Sequence, residues 1–262
     1  MLLTRFMITT AMVLIGTSPA LAQSTGEIIY VPGTATYDTN IPNGQTWFNL
    51  SCRRDDCYLK NVKLHTKPAK IQDMSSGEYV KGQTISFPDN GQTSIVLLQG
   101  MKWLKNKKVV TYYNADAGEP PVSSSSGSTG LEIEFKNNLG TTVTITPDFT
   151  MNDQGQILKV EYYLHVGNDK QLLGEINPAP PESSFDDYVR ILDLKDLPVG
   201  TALLQWAGDI DGDGKLDLVM SIHHVPTWDI SRILFLSSAA KKGDLVGIAG
   251  KFHFAPPSSG GC

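Results

Sequence analysis

Residues 209–217 read D-I-D-G-D-G-K-L-D, a concentration of metal-ligating side chains that the rest of this 262-residue chain does not repeat. Asp209, Asp211 and Asp213 alternate with small or apolar residues, so their carboxylates can converge from a tight loop on one hard cation. Calcium suits such a set, because it takes roughly six to eight oxygen ligands in flexible geometry and the carboxylates offset its desolvation. Gly214 can adopt the positive φ that turns the loop, the backbone carbonyl of Lys215 can supply a further ligand, and Asp217 closes the ring. An EF-hand begins the same way but needs a bidentate Glu at its last loop position and helices on both sides. Met220 occupies that position here, and the flanking runs at 203–206 and 218–222 are short, apolar and partly β-branched. They predict strands, and with them a calcium loop set between two strands.

No second constellation points to catalysis. His65, His165, His223, His224 and His253 form no H-E-x-x-H pattern, and neither a G-x-S-x-G elbow nor a P-loop is present. Ser238-Ala239-Ala240-Lys241 matches S-x-x-K without its companion motifs, and the paired carboxylates Asp55-Asp56 and Asp186-Asp187 read as polar loop residues. The chain is therefore expected not to be an enzyme. A shorter pattern, Ser76-Gly77-Glu78-Tyr79, stands in a polar loop before a strand-like run. Its Gly permits a protruding turn, while the Ser hydroxyl and the Tyr phenol can mimic the hydrogen bonding and stacking of a sugar. Cys52 and Cys57 are spaced to close a local disulfide over Arg53, Arg54, Asp55 and Asp56, which leaves Cys262 over.

These loops must be positioned by β-structure. Strand-like runs occur at 58–64, 84–87, 94–98, 108–113, 131–135, 141–146 and 157–166, separated by clusters of Asn, Asp, Gly and Pro that favour turns. Thr142, Thr144 and Thr146 alternate with Val143 and Ile145, so that strand should have one dry face and one wet face. Residues 184–194 fit either a strand or a short helix. Four more runs, at 202–206, 216–222, 231–237 and 245–254, surround the acidic loop and match one propeller blade. No strict repeat of that blade occurs elsewhere, so the remaining strands either form degenerate blades or pack as a sandwich. The expected fold class is all-β, antiparallel and β-propeller-like, with one clear calcium-loop blade at the C-terminus; the alternative is a β-sandwich.

Residues 1–22 combine Arg5, an apolar stretch and a small-residue site at Ala20-Leu21-Ala22. They predict a signal peptide cleaved after Ala22 and a periplasmic or secreted protein, with no later apolar run long enough for membrane insertion. The formal net charge of −5 argues against nucleic acid or an anionic membrane as partner. Composition divides the remainder into an N-terminal β-region at 23–118, a Ser/Gly/Pro-rich loop or linker at 119–130, a C-terminal β-region at 131–255 and a flexible tail at 256–262. Residues 23–255 are expected to form one compact domain.

The D-x-D-x-D-G-x-x-D loop between two strands resembles the calcium loop of FG-GAP repeats. Several features together resemble the periplasmic immunity proteins of Xanthomonas-type bacteria. They are the export signal, the all-β pattern, the single W-A-G-D-I-D-G-D-G-K-L-D-L stretch, the following Leu236-Ser237-Ser238-Ala239-Ala240-Lys241 and the final Gly261-Cys262. That family neutralises peptidoglycan hydrolases delivered by a type IV secretion system. The resemblance implies a calcium-binding lysozyme inhibitor that inserts an aromatic-tipped loop into its partner's cleft, with Ser76, Gly77, Glu78 and Tyr79 as the candidate inhibitory loop and Tyr162, Tyr163 and Tyr188 as other candidate tips. The rival expectation is a glycan-binding or adhesive FG-GAP module that uses Trp47, Trp103 or Trp228 as sugar platforms.

Overall fold

The computed structural model describes residues 27–29, 35–36, 41–72, 79–88, 91–115, 132–154, 157–176, 202–224 and 229–254. The signal segment 1–22, the stretches 119–130 and 184–194, and the tail 256–262 lie outside them. The first strands are β1 (Glu27–Ile29), β2 (Ala35–Thr36), β3 (Thr46–Arg53), β4 (Asp56–Lys63), β5 (His65–Gln72), β6 (Tyr79–Ser86), β7 (Thr93–Gln99), β8 (Lys107–Lys108) and β9 (Val110–Asn114). They are followed by β10 (Ile133–Lys136), β11 (Thr142–Met151), β12 (Ile157–Val166), β13 (Asp169–Ile176), β14 (Ala202–Asp209), β15 (Asp217–His224), β16 (Asp229–Leu236) and β17 (Gly247–Phe254).

Among the described residues all pairing is antiparallel and falls into four sheets, none closed into a barrel. An amino-terminal sheet has the order β1-β7-β3-β4-β8, and a small sheet has the order β2-β6-β5. An outer sheet runs β10-β11-β12-β13, and a central sheet runs β17-β16-β15-β14-β9. The all-β, antiparallel expectation holds, and the sheets pack in layers after the manner of the sandwich alternative. The four strands expected around the acidic loop are β14 to β17. To them the chain adds β9, drawn from the region before residue 119. The two composition-defined regions thus share one sheet.

Strand alternation explains why the central sheet is the middle layer. Trp206, Val219 and Leu234 are aligned across three strands and face the amino-terminal sheet, where they pack with Leu50, Leu59 and Leu98. The next row, Ala207, Leu218 and Phe235, faces the outer sheet and packs with Val143, Ile145 and Leu164. With both faces buried, these strands read as continuous apolar runs rather than alternating ones. Each fully buried large side chain contributes roughly 1.5–3 kcal/mol, so this layer holds most of the fold's cohesion. A third cluster, Ile41, Trp47, Leu64, Ile85 and Leu97, joins the small sheet to the back of the amino-terminal one.

The β3–β4 hairpin closes at Arg54, which has a φ of 56°. Cys52 pairs with Cys57 across it, with Cα atoms 4.1 Å apart and the two sulfurs at disulfide distance, as their spacing predicts.

Candidate functional site

The acidic loop is the connection between β14 and β15, and register fixes its mouth: Gly208 stands opposite Asp217. Asp209 and Asp217 are therefore held at the ends of two paired, buried strands, whereas Asp211 and Asp213 ride on the turn. Gly212 and Gly214 have φ values of 89° and 81°, conformations that a side chain rarely tolerates. The sequence singled out Gly214 for this role, and Gly212 shares it.

Three of the predicted ligands come together. One oxygen each from Asp209, Asp211 and Asp217 lies within 4.8 Å of the others. Asp213 is outside that group; its Oδ2 accepts a hydrogen bond from Ser237 Oγ at 2.8 Å and its Oδ1 accepts one from Lys215 N at 2.9 Å. Asp209 accepts bonds from the N–H groups of Gly212 and Gly214 at 2.6 and 3.0 Å, which fold the loop around its carboxylate. Asp217 is fully buried and accepts bonds from Ile210 N at 2.8 Å and from Ser237 N at 2.9 Å. Ser238 Oγ donates to Asp211 Oδ2. Ser237 and Ser238 begin the 3₁₀ turn Ser237–Ala239 after β16, so a second loop braces the first. In the sequence Ser238 opens the S-x-x-K match and both serines stand in the Leu236–Lys241 stretch, but neither reading gives them a place at the acidic loop.

Electrostatics single out Asp217. Burial pushes its carboxyl up to about 7, and the negative charge of Asp211 acts in the same direction. The N–H groups of Ser237, Ile210 and Asp211 pull it back down. On β9, Tyr112 is raised by burial and by the carboxylates of Asp209, Asp217 and Asp213. Its hydroxyl is buried without a hydrogen-bond partner among the described residues. A buried hydroxyl left unsatisfied costs about 1–3 kcal/mol. Nothing in the sequence could place Tyr112 here, since its position depends on the long-range pairing of β9 with β14.

Close packing keeps this corner rigid. Trp206 Nε1 donates to Thr111 Oγ1 at 3.2 Å, and a Cβ on Gly208 would collide with the carbonyl of Val110 and the ring of Trp206. Only glycine lets β9 approach β14 here.

The other predicted loop lies far from this site in sequence. β5 and β6 pair from His65 with Ser86 out to Gln72 with Tyr79, so Tyr79 opens the returning strand at the distal end of the hairpin. Its side chain is 66% exposed, and it is the one aromatic among the large exposed apolar residues described. Ser76, Gly77 and Glu78 lie outside the described residues. Of the alternative aromatic tips, Tyr162 is buried, Tyr163 sits within β12 beneath the ammonium of Lys170, and Tyr188 lies outside the described residues. Of the tryptophan platforms, Trp47 is buried and cannot stack on a sugar, and Trp103 is half-buried against the core. Trp228 lies outside the described residues.

Compared with protein-family models, with curated proteins and with solved structures, the chain gives no match.

Proposed function

We propose that this chain is an exported, calcium-braced inhibitor of a lysozyme-like peptidoglycan hydrolase, and that it acts by presenting the end of the β5–β6 hairpin to the enzyme's cleft. The observation that carries the reading is Tyr79, an aromatic side chain that is largely exposed at the distal end of a hairpin while the other aromatics whose burial is described are buried or half-buried. A phenol carried outward in this way can stack and hydrogen-bond as a sugar ring does. The burial of Trp47 weighs against the glycan-binding rival.

Calcium is the proposed ion because every converging donor is a carboxylate oxygen, a hard ligand set suited to it. Asp209, Asp211 and Asp217 would hold it directly. Asp213 and the carbonyl of Lys215 complete the proposed set once Ser237 releases Asp213. Bound calcium would supply structural cohesion, fastening the β14–β15 turn to the loop after β16. A buried carboxyl that is hard to ionise alone becomes stable as an anion beside a divalent cation. The export and periplasmic placement rest on residues 1–22 and on the Cys52 and Cys57 sulfurs, which suit an oxidising compartment.

The test is to titrate the purified chain against lysozyme-type muramidases, following the clearing of a cell-wall suspension. Stoichiometric loss of turnover is expected; turnover unchanged at large molar excess refutes the inhibitor reading. A calcium titration by calorimetry, with magnesium for comparison, checks the ion separately.

A further inference from the structure

We infer that Lys70, Lys81 and Tyr79 form an anion-recognition face that docks onto closely spaced carboxylates of a protein partner. The inference rests on the inhibitor reading above and names what the hairpin recognises. Lys70 stands directly opposite Lys81 in the β5–β6 register, and both are exposed. Residues directly opposite share a face, and so do residues two apart in one strand, so Tyr79, Lys81 and Lys70 lie together on one side of the hairpin.

Two features make this arrangement more than a solvated surface. Like charges directly opposite one another destabilise an antiparallel pair, and among the described residues neither ammonium has an ion-pair partner. Elsewhere on the sheets Lys108 pairs with Asp56 and the half-buried Lys159 with Glu161, so neither faces another lysine unmatched. The pair also sits where the hairpin is a two-stranded ribbon. β2 pairs with β6 only at Thr84 and Gln83, so the segment from Gly82 to Tyr79 has β5 as its one described strand neighbour. Among the hairpin residues whose burial is described, Ile85 at its base is the one that joins the buried core. An unfavourable charge pair on a ribbon that the core does not need is explained if the charges are matched when a partner binds.

Spacing and sign select the partner. Directly opposite Cβ atoms lie about 4.5–5.5 Å apart, and each lysine adds a flexible stem. The two acid groups of a glycoside hydrolase are about 5–5.5 Å apart in retaining enzymes and about 6.5–9.5 Å apart in inverting ones. Two ammoniums can reach such a pair while Tyr79 takes a neighbouring sugar position. The chain's net charge of −5 opposes an extended polyanion such as nucleic acid or an anionic membrane, but not a compact pair of carboxylates inside a cleft.

The experiment compares the wild-type chain, K70Q/K81Q and K67Q, using a muramidase the wild type inhibits; Lys67 is an exposed lysine on the opposite face of the hairpin. K70Q/K81Q should raise the inhibition constant about tenfold or more at low salt and flatten the salt dependence of the association rate, without lowering the melting temperature, while K67Q stays within about twofold. Equal inhibition constants and salt slopes for wild type and K70Q/K81Q overturn the inference and leave the inhibitor reading standing. If the wild type inhibits no muramidase, the inhibitor reading fails, and amide-resolved NMR titration with hexaglutamate decides about the lysines alone. Saturable shifts at Lys70, Tyr79 and Lys81 that K70Q/K81Q abolishes support the anion face, and their absence in the wild type overturns it.

Discussion

The turn between β14 and β15 and the distal end of the β5–β6 hairpin are both polar excursions from an apolar scaffold, and they differ in where their hydrogen bonds and charges go. At the turn, carboxylates are bonded to backbone N–H groups and to Ser237 and Ser238, and Asp217 is fully buried at the end of β15. At the hairpin, the lysines face one another with no ion-pair partner among the described residues, and Tyr79 stands in solvent. The first arrangement spends its polarity internally and makes the corner rigid. The second keeps its polarity available for another molecule. Holding and presenting are thus separated in space, so each can be altered without the other.

The largest expected effect is at the holding end. Asp217→Ala removes the acceptor for three backbone donors, Ile210 N, Ser237 N and the longer bond from Asp211 N, and should cost roughly 3–4 kcal/mol in urea unfolding, since each stranded donor costs about 1–3 kcal/mol. A loss below about 1 kcal/mol would mean that the turn is not a structural clasp. Gly208→Ala should cost roughly 2–3 kcal/mol by forcing β9 away from β14, and fluorescence of Trp206 should report the shift.

The same carboxyl gives a pH dependence whose sign follows from linkage. In the fold Asp217 is pushed up to about 7 from 3.8, so the folded chain binds that proton more tightly than the unfolded chain does. In chelator, the stability it contributes is fully present below about pH 4 and is lost as pH rises through about 7, a change of about 4 kcal/mol for the full shift. Asp217→Ala lacks this slope, so the difference between the two proteins' melting profiles isolates it. Saturating calcium should remove the loss in the wild type, because a ligand bound only by the folded state stabilises it by mass action. A wild-type profile parallel to that of Asp217→Ala would contradict the assignment.

The smallest effect on stability belongs to the presenting end. Tyr79→Ala should change unfolding free energy by no more than about 0.5 kcal/mol, as expected for an exposed side chain. A larger loss would give Tyr79 a structural role and erase the contrast between the two regions.

Periodicity revealed the parts of the fold whose strands are buried in a regular way. β10 to β12 and β14 to β17 follow the alternating or continuous apolar runs that marked them, and the aspartate spacing marked the turn between them. Strands that break those patterns were missed, each for a physical reason. β3 carries Asn49 and Ser51, which look like loop residues but are buried with partners: Ser94 Oγ donates to Asn49 Oδ1 at 2.7 Å, and Ser51 Oγ donates to Gln92 Oε1 at 3.2 Å. β13 loses its alternation at a bulge opposite Tyr162 and Tyr163, which leaves Leu172 exposed and Leu173 buried in sequence neighbours. β5 contains Pro68 and has no apolar stripe, because it is an edge strand of a hairpin with little core to cover. At the site, the aspartates were legible because they are local. Tyr112 and Ser237 were not, because pairing brings them there from elsewhere in the chain.

The most direct test of the account is muramidase turnover measured with the wild-type chain and with Tyr79→Ala in parallel, each at saturating calcium and with its melting temperature recorded. The account predicts that the wild type abolishes turnover and that Tyr79→Ala restores it by at least about tenfold in inhibition constant while melting as the wild type does. Turnover that neither protein changes, or that both suppress equally, would contradict it.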